Sequence, residues 1–394
     1  MPVTETEAAV ALRYLPSDCW LRRYAVHGFK QTTAPLVYHI GVGLTTLGVT
    51  TPSDYGMHFA GTLRANNYAL LVGRSGADQK STALGVGRSL LAAAASKLIG
   101  NRPGSREGLI DSLALNPTQL LPISEFGEFL SAAQGGYFEP IKALMADAWD
   151  CGALQRACAN NRIVRVDNPR LSITAACSIP YLEQYTLSTD WTGGFMGRWM
   201  VLYGRAERKE ADPVGDTTDT QWLIDELKLR VATPVAGWCT GLDNPSKLLW
   251  ESWYNELMDR KLPDNIVGIN SRAPTIARKI ALILGWDYGP ALRGKPWRMD
   301  LSLIEPAIAI TELHLTSLIH LSDAIAEHPE ARQRRSVLRA IDQQGGTATL
   351  GEILAILKMK KRTIIETIDA LIEEKRVAKV TTSIGEGFEH LRIV

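Results

Sequence analysis

Two spacings of apolar residues alternate through the first half of the chain. In GTLRANNYALLVG a polar approach runs straight into the continuous apolar run Tyr68 to Val72, the pattern of a short strand covered on both faces. Residues 80–98, KSTALGVGRSLLAAAASKL, are rich in alanine and leucine and free of proline, which predicts a helix. A second buried strand is predicted at Leu120 to Ser124, ending in acidic residues. RIVRVDNPRLSITAACSIP predicts a hairpin and then a third strand, Leu171 to Cys177, and GRWMVLYGRAE a fourth, Trp199 to Tyr203. Strands alternating with helical stretches predict an α/β fold, an open sheet with helices on its faces.

The texture changes near residue 211. ERKEADPVGDTTDT reads as a polar linker, and the stretch after it as mostly helical: QWLIDELKLRV, KLLWESWYNELMDRKL, RAPTIARKIALILGW and LSLIEPAIAITELHLTSLIHLSDAIAEH. Ile276, Ile280 and Leu284 recur every four residues and mark a core-facing stripe. In residues 331–394, ARQRRSVLRAIDQQ reads as a helix stopped by Gly345 and Gly346, and TLGEILAIL and KRTIIETIDALIEEKRV as two more. VAKVTTS and FEHLRIV then read as strands around the turn IGEG. Three helices and a two-stranded ribbon predict a winged helix-turn-helix. The expected organisation is a mostly helical N-terminal segment (1–64), an α/β core (65–210), a helical domain (211–330) and a winged helix (331–394).

Composition narrows the class. The 394 residues suffice for two or three domains, and 45% apolar with 22% charged residues is the balance of a globular protein. Net charge is only +1, so nucleic-acid binding would need local basic patches; the last 64 residues supply one, with twelve lysines and arginines against eight acids. No apolar run of bilayer-spanning length is read from the sequence, and the start MPVTETEAAVAL is acidic where a signal peptide is basic, so no membrane association and a cytoplasmic location are expected. Five scattered cysteines without a C-x-x-C pair read as ordinary reduced thiols.

The stretch between the first strand and its helix carries the chemistry. A phosphate loop, G-x-x-x-x-G-K-[S/T], turns consecutive backbone N–H groups into one concavity, uses its lysine against the outer phosphates and its hydroxyl against Mg²⁺. In VGRSGADQKST, Lys80, Ser81 and Thr82 supply the lysine and hydroxyls and Gly73 and Gly76 the turns. The loop is one residue longer than the pattern, and Gln79 stands where glycine precedes the lysine. Gln79 is tolerable if its φ stays negative, with the added residue bulging outward at Ala77 or Asp78. Asp78 would repel a triphosphate unless turned to solvent or paired with Arg74. A plain glycine turn feeding a helix is the alternative. At the end of the next strand Glu125 is the candidate base or water-positioning residue, with Ser124 in a weaker role toward Mg²⁺-bound water.

The order NNYALLVGRSGADQKST, SREGLIDSL, ISEFGEF, NPRLSITAACSIP, TGGFMGRWMVLYGR and RAPTIARKIALIL resembles the RecA-like P-loop proteins of phages, plasmids and integrative elements, helicase-like ATPases that accompany primases. The resemblance covers roughly residues 20 to 330. It implies ATP and Mg²⁺ as ligands, a ring-shaped homo-oligomer, a hexamer, with ATP hydrolysed at subunit interfaces, and DNA and a separate primase or other replication proteins as partners. It implies that Arg198, in Gly194-Phe195-x-x-Arg198, is an arginine finger reaching a neighbouring subunit, a structural ion pair being the alternative, and that Ser178 senses the γ-phosphate, a strand-end turn being the alternative.

Candidate DNA contacts are of two kinds. QRACANNRIVRVDNPR, with Arg156, Arg162, Arg165 and Arg170, is either a basic hairpin gripping single-stranded DNA or a solvated ribbon. Lys358, Lys360, Lys361 and Arg362 open the third helix of the winged unit, with Arg332, Arg334 and Arg335 on its first helix, a surface for duplex phosphates or for a protein. The expected function is an ATP-dependent replicative DNA helicase or translocase; a nucleotide-gated DNA-binding initiator that does not hydrolyse ATP, or a helicase loader, are the alternatives.

Overall fold

The computed structural model describes residues 2–59, 61–134, 140–157, 163–192, 194–207, 219–233, 237–262, 264–289, 294–325, 329–357, 359–374, 376–381 and 389–393. They divide into two compact units, residues 1–325 and 326–394, and the fold is mixed α/β.

The larger unit is built on a four-stranded parallel sheet. Its order across the sheet is Thr118–Ile123, Arg170–Ser178, Tyr68–Gly73, Trp199–Tyr203. All six residues of Tyr68–Gly73 are buried, as its unbroken apolar run requires of a central strand. Against the sheet lies the helix Leu36–Gly48, every residue of which is buried. Thr45 and Thr46 satisfy their hydroxyls on the helix's own carbonyls, and Thr45 Oγ1 also meets Thr174 Oγ1 of the sheet at 2.6 Å. Gly41 lets the helix approach the strand Trp199–Tyr203 closely, since a Cβ there would lie 2.4 Å from Leu202.

Two buried ions knit distant segments together. Asp287, at the end of the helix Ala273–Asp287, accepts from the N–H groups of Trp20 and Leu21 at 3.0 and 2.9 Å and pairs with Arg230 at 3.0 Å, so that it caps the helix Trp20–Gln31 from across the chain. Lys279 Nζ, in the same helix, donates to Asn66 Oδ1 and to the carbonyls of Arg64, Asn66 and Trp149, all within 3.2 Å.

Several details differ from expectation. Four short strands, Met57–His58, Thr62–Leu63, Cys239–Leu242 and Trp297–Met299, form a second small sheet that joins the N-terminal segment to the region expected to be helical. Runs of two to four residues are too short to leave a period in the sequence. The hairpin pairs Leu154–Ala157 with Ile163–Val166, and Asn168, at φ 52°, turns the chain from it into the sheet. The helix Leu301–Ile325 contains a stretch, residues 301–322, long and apolar enough by length and composition to cross a bilayer, contrary to the expectation of none. Most of that stretch is buried inside the unit, and its Glu312 accepts from Arg260 and Trp253 at 2.6 and 2.7 Å, so apolarity here serves a protein core.

In the smaller unit the helices Pro329–Gln343, Leu350–Ile356 and Lys361–Glu373 enclose a core that includes Val337, Ile341, Ile353, Ile364, Ile368 and Leu371. A third strand, Thr347–Thr349, joins Glu389–Ile393 and Val377–Thr381, so the sheet is three-stranded and antiparallel rather than the two-stranded ribbon expected. The turn expected at IGEG lies outside the described residues.

Candidate functional site

Three adjacent strands end together, and a cleft of about 370 Å³ opens at their C-terminal edge. Gly73 and Ser178 are register partners at that edge, and Ser124 and Glu125 follow directly on Ile123. The cleft is lined by Gly76, Gln79, Lys80, Ser81, Thr82, Ser124, Glu125 and Ser178, together with Ser75, Ala176 and Tyr181. The outer edge of parallel strands is where α/β sheets place ligands, because helix N-termini point there.

The bend from Gly73 to Lys80 is held by backbone geometry and one carboxylate. Gly76 has φ +70°, which a glycine adopts without strain. Gln79 has φ 44° and ψ 38°, correcting the expectation of a negative φ: the position before the lysine keeps the left-handed conformation a glycine would take, at a cost of about 1 kcal/mol or more. Gly73 is required by crowding, since a Cβ would lie 2.3 Å from Tyr38 Oη and 2.8 Å from Asp78 Oδ2.

Asp78 is turned inward, 1% exposed, and does not line the cleft. Its carboxylate accepts from the N–H of Arg74 at 2.6 Å, from the N–H of Ala206 at 2.9 Å and from the Arg74 guanidinium at 2.6 Å. Burial works to raise its pKa, but Arg74 and the two amides outweigh burial and hold it below the usual carboxylate value. The added residue therefore neither bulges into solvent nor points at the cleft; it ties the bend to the end of the strand Trp199–Tyr203.

Lys80 is 8% exposed and opens the helix Lys80–Ala95. Its Nζ donates to the carbonyls of Gly73 at 3.1 Å and Arg74 at 2.7 Å. An ammonium has three donors, so one is left over. Burial lowers its pKa, opposed by Asp78, Cys177 and Glu125. The helix has no side-chain cap, and among the described residues the N–H groups of Lys80, Ser81 and Thr82 have no acceptor. Unpaired amides at a helix start, beside a lysine, attract an anion. Glu125 is exposed at the N-cap of the helix Phe126–Ala132, on the opposite side of the cleft. Tyr181, which no sequence signal marked, is 43% exposed and rests on Gly127, where a Cβ would come within 2.6 Å of its ring.

Other candidate residues lie elsewhere. Trp199 pairs with Tyr68, the first residue of the central strand, so Arg198 sits at the far end of the sheet, roughly 20 Å from the cleft by strand rise. It is 13% exposed as a side chain, pairs with Asp150 at 2.6 Å and donates to the carbonyl of Gly194 at 2.8 Å. On the hairpin, Arg156 is held by Asp111 at 2.7 Å and Arg165 by Asp167 at 2.8 Å, while Arg170 donates to Thr118. Arg162 and Lys358 lie outside the described residues. In the smaller unit Lys360 is the N-cap of Lys361–Glu373, Lys361 is exposed, Arg362 pairs with Glu366 at 2.8 Å, and Arg334 pairs with Glu374 at 2.9 Å.

No protein-family model matches the chain, and no curated protein matches it at a significant level.

Proposed function

We propose that the chain is a P-loop NTPase with a RecA-like core and a C-terminal winged helix, and that it couples ATP hydrolysis to movement on DNA as a replicative helicase or translocase of a mobile genetic element. The observation that carries the reading is the cleft itself. Three unpaired amides, the spare donor of a buried lysine and a facing carboxylate converge at the C-terminal edge of a parallel sheet. The donor set matches a triphosphate: amides of residues 80–82 and Lys80 for the phosphate oxygens, Glu125 to orient the attacking water, Ser178 to meet the outer phosphate. A Mg²⁺ ion, for which Ser81 and Ser124 present oxygens in the same cleft, would neutralise phosphate charge. The inward turn of Asp78 removes the one carboxylate in the bend that would oppose binding.

In this reading the working form is a ring-shaped homo-oligomer, a hexamer, with Arg198 reaching a neighbour's nucleotide, single-stranded DNA in the channel and duplex DNA at Lys360, Lys361 and Arg362. The second reading is a nucleotide-gated DNA-binding initiator or loader that does not turn over ATP. It is favoured by Ser124, where an acid would hold Mg²⁺-bound water, and by the engagement of Arg198 with Asp150.

ATP hydrolysis measured with and without DNA separates the two. Lys80→Ala is expected to abolish ATP binding, and Glu125→Gln to keep binding while losing turnover. DNA-stimulated hydrolysis that survives Lys80→Ala would refute the catalytic assignment. Particle size with and without ATP and single-stranded DNA tests the ring.

A further inference from the structure

The small sheet has two faces of opposite character. Its register aligns Trp297, Cys239, Met57 and Leu63 in one row, all buried. Because side chains alternate along a strand, the next positions, Thr240, His58 and Thr62, lie on the other face, with Arg298 at the edge strand where the register shifts, and all four are exposed. Trp238 and Arg64 belong to that face. The His58 ring lies 5.0 Å from the Trp238 ring, and the Arg64 guanidinium lies 5.5 Å from it. Gly56 beneath them leaves the space, since a Cβ there would come within 3.3 Å of both Arg64 and Trp238.

The charged side chains of the strands themselves are basic. The four strands contain no Asp or Glu. Among the described residues neither Arg64 nor Arg298 has a carboxylate within ion-pair distance, in contrast to Arg156, Arg165 and Arg198. The acids beside the strands are engaged locally: Asp243 caps the helix Asn244–Asp259, Asp300 accepts from Ser302, and Asp54 acts on Arg64. Arg64 is half-buried and donates to the carbonyl of Tyr55 at 2.9 Å, which fixes it beside the Trp238 ring, while Arg298 is exposed. Two aromatic rings with one fixed and one exposed guanidinium beside them match the needs of an unstacked polynucleotide, whose bases stack on rings and whose phosphates take the cations.

We infer that the open face of the small sheet, centred on Trp238 and His58 and flanked by Arg64 and Arg298, binds single-stranded nucleic acid. The inference rests on the nucleic-acid part of the proposed function and is independent of the cleft. It moves the single-strand contact away from the 154–166 hairpin, where Arg156 and Arg165 pair with Asp111 and Asp167 and no aromatic ring is offered for stacking.

The test is fluorescence anisotropy of a labelled oligothymidylate with the full-length chain at several salt concentrations. Trp238→Leu is expected to weaken binding roughly tenfold, the loss of one stacked base. Arg298→Glu and Thr240→Glu, at exposed positions where folding is not at stake, are expected to weaken it as well. Arg298→Glu should also flatten the salt dependence by about one phosphate contact. No binding by the wild type overturns the inference, as does wild-type affinity in both glutamate variants, and neither result touches the ATP assignment. Failure of the wild type to bind ATP would instead sink the cleft while leaving this surface standing.

Discussion

Replacing Asp78 tests whether the bend can admit a triphosphate. In the wild type its carboxylate satisfies two backbone N–H groups, those of Arg74 and Ala206, and pairs with the Arg74 side chain. Asp78→Ala leaves the two amides without an acceptor, at about 1–2 kcal/mol each. The pair with Arg74, whose side chain is 45% exposed, adds less than about 1 kcal/mol after solvent screening. The expected loss is about 3 kcal/mol of unfolding free energy, read by urea denaturation at neutral pH, and Asp78→Asn should lose about half as much. The folded-state pKa of Asp78 is depressed, so its contribution is present above the unfolded value near 4 and disappears as pH falls through the folded value. The difference between wild type and Asp78→Ala should therefore hold at pH 5 and above and shrink only in stronger acid. ATP affinity should fall or stay constant, because the clamp orders the bend. An ATP affinity raised tenfold or more by Asp78→Ala, with little loss of stability, would mean that the carboxylate faces the phosphates, and the account of the bend would be wrong.

Gln79→Gly relieves a left-handed non-glycine residue and is expected to stabilise the chain by about 1 kcal/mol net of glycine's greater unfolded-state freedom; a lower melting temperature contradicts the backbone assignment. Burial depresses the pKa of His39 to about 3 and of His314 to about 4, so the unfolded chain takes up protons the folded one refuses. Stability is then full above about pH 6.5 and falls below it, by roughly 4 kcal/mol for the pair between pH 7.5 and 5; a urea midpoint unchanged over that interval rules this out. Asp287→Ala removes one of the two carboxylates paired with buried Arg230, Glu226 remaining at 2.6 Å, and leaves the N–H groups of Trp20 and Leu21 without their acceptor, with an expected cost of about 2–4 kcal/mol by chemical denaturation; a cost below about 1 kcal/mol would show that the cap is replaceable.

The sequence by itself determined the elements with long or unbroken patterns. The all-apolar run at Tyr68–Gly73, the alanine-rich helix after it and the four-residue stripe of Ile276, Ile280 and Leu284 are local properties, fixed by what each segment must bury. The co-location of Lys80, Ser81, Glu125 and Ser178 was legible for the same reason: each stands at a strand end, and parallel strands bring like ends together. What only the tertiary structure decided are the pairings made across the chain. Whether Asp78 faces phosphate or Arg74 depends on the amide of Ala206, more than a hundred residues away, and whether Arg198 is free depends on Asp150. The small sheet, with strands of two to four residues drawn from three separate regions, has no local signature, because its register exists only once those regions meet. Periodicity records which side of a segment is covered; the partner of a charge or of an orphan amide is set by distances that folding alone creates.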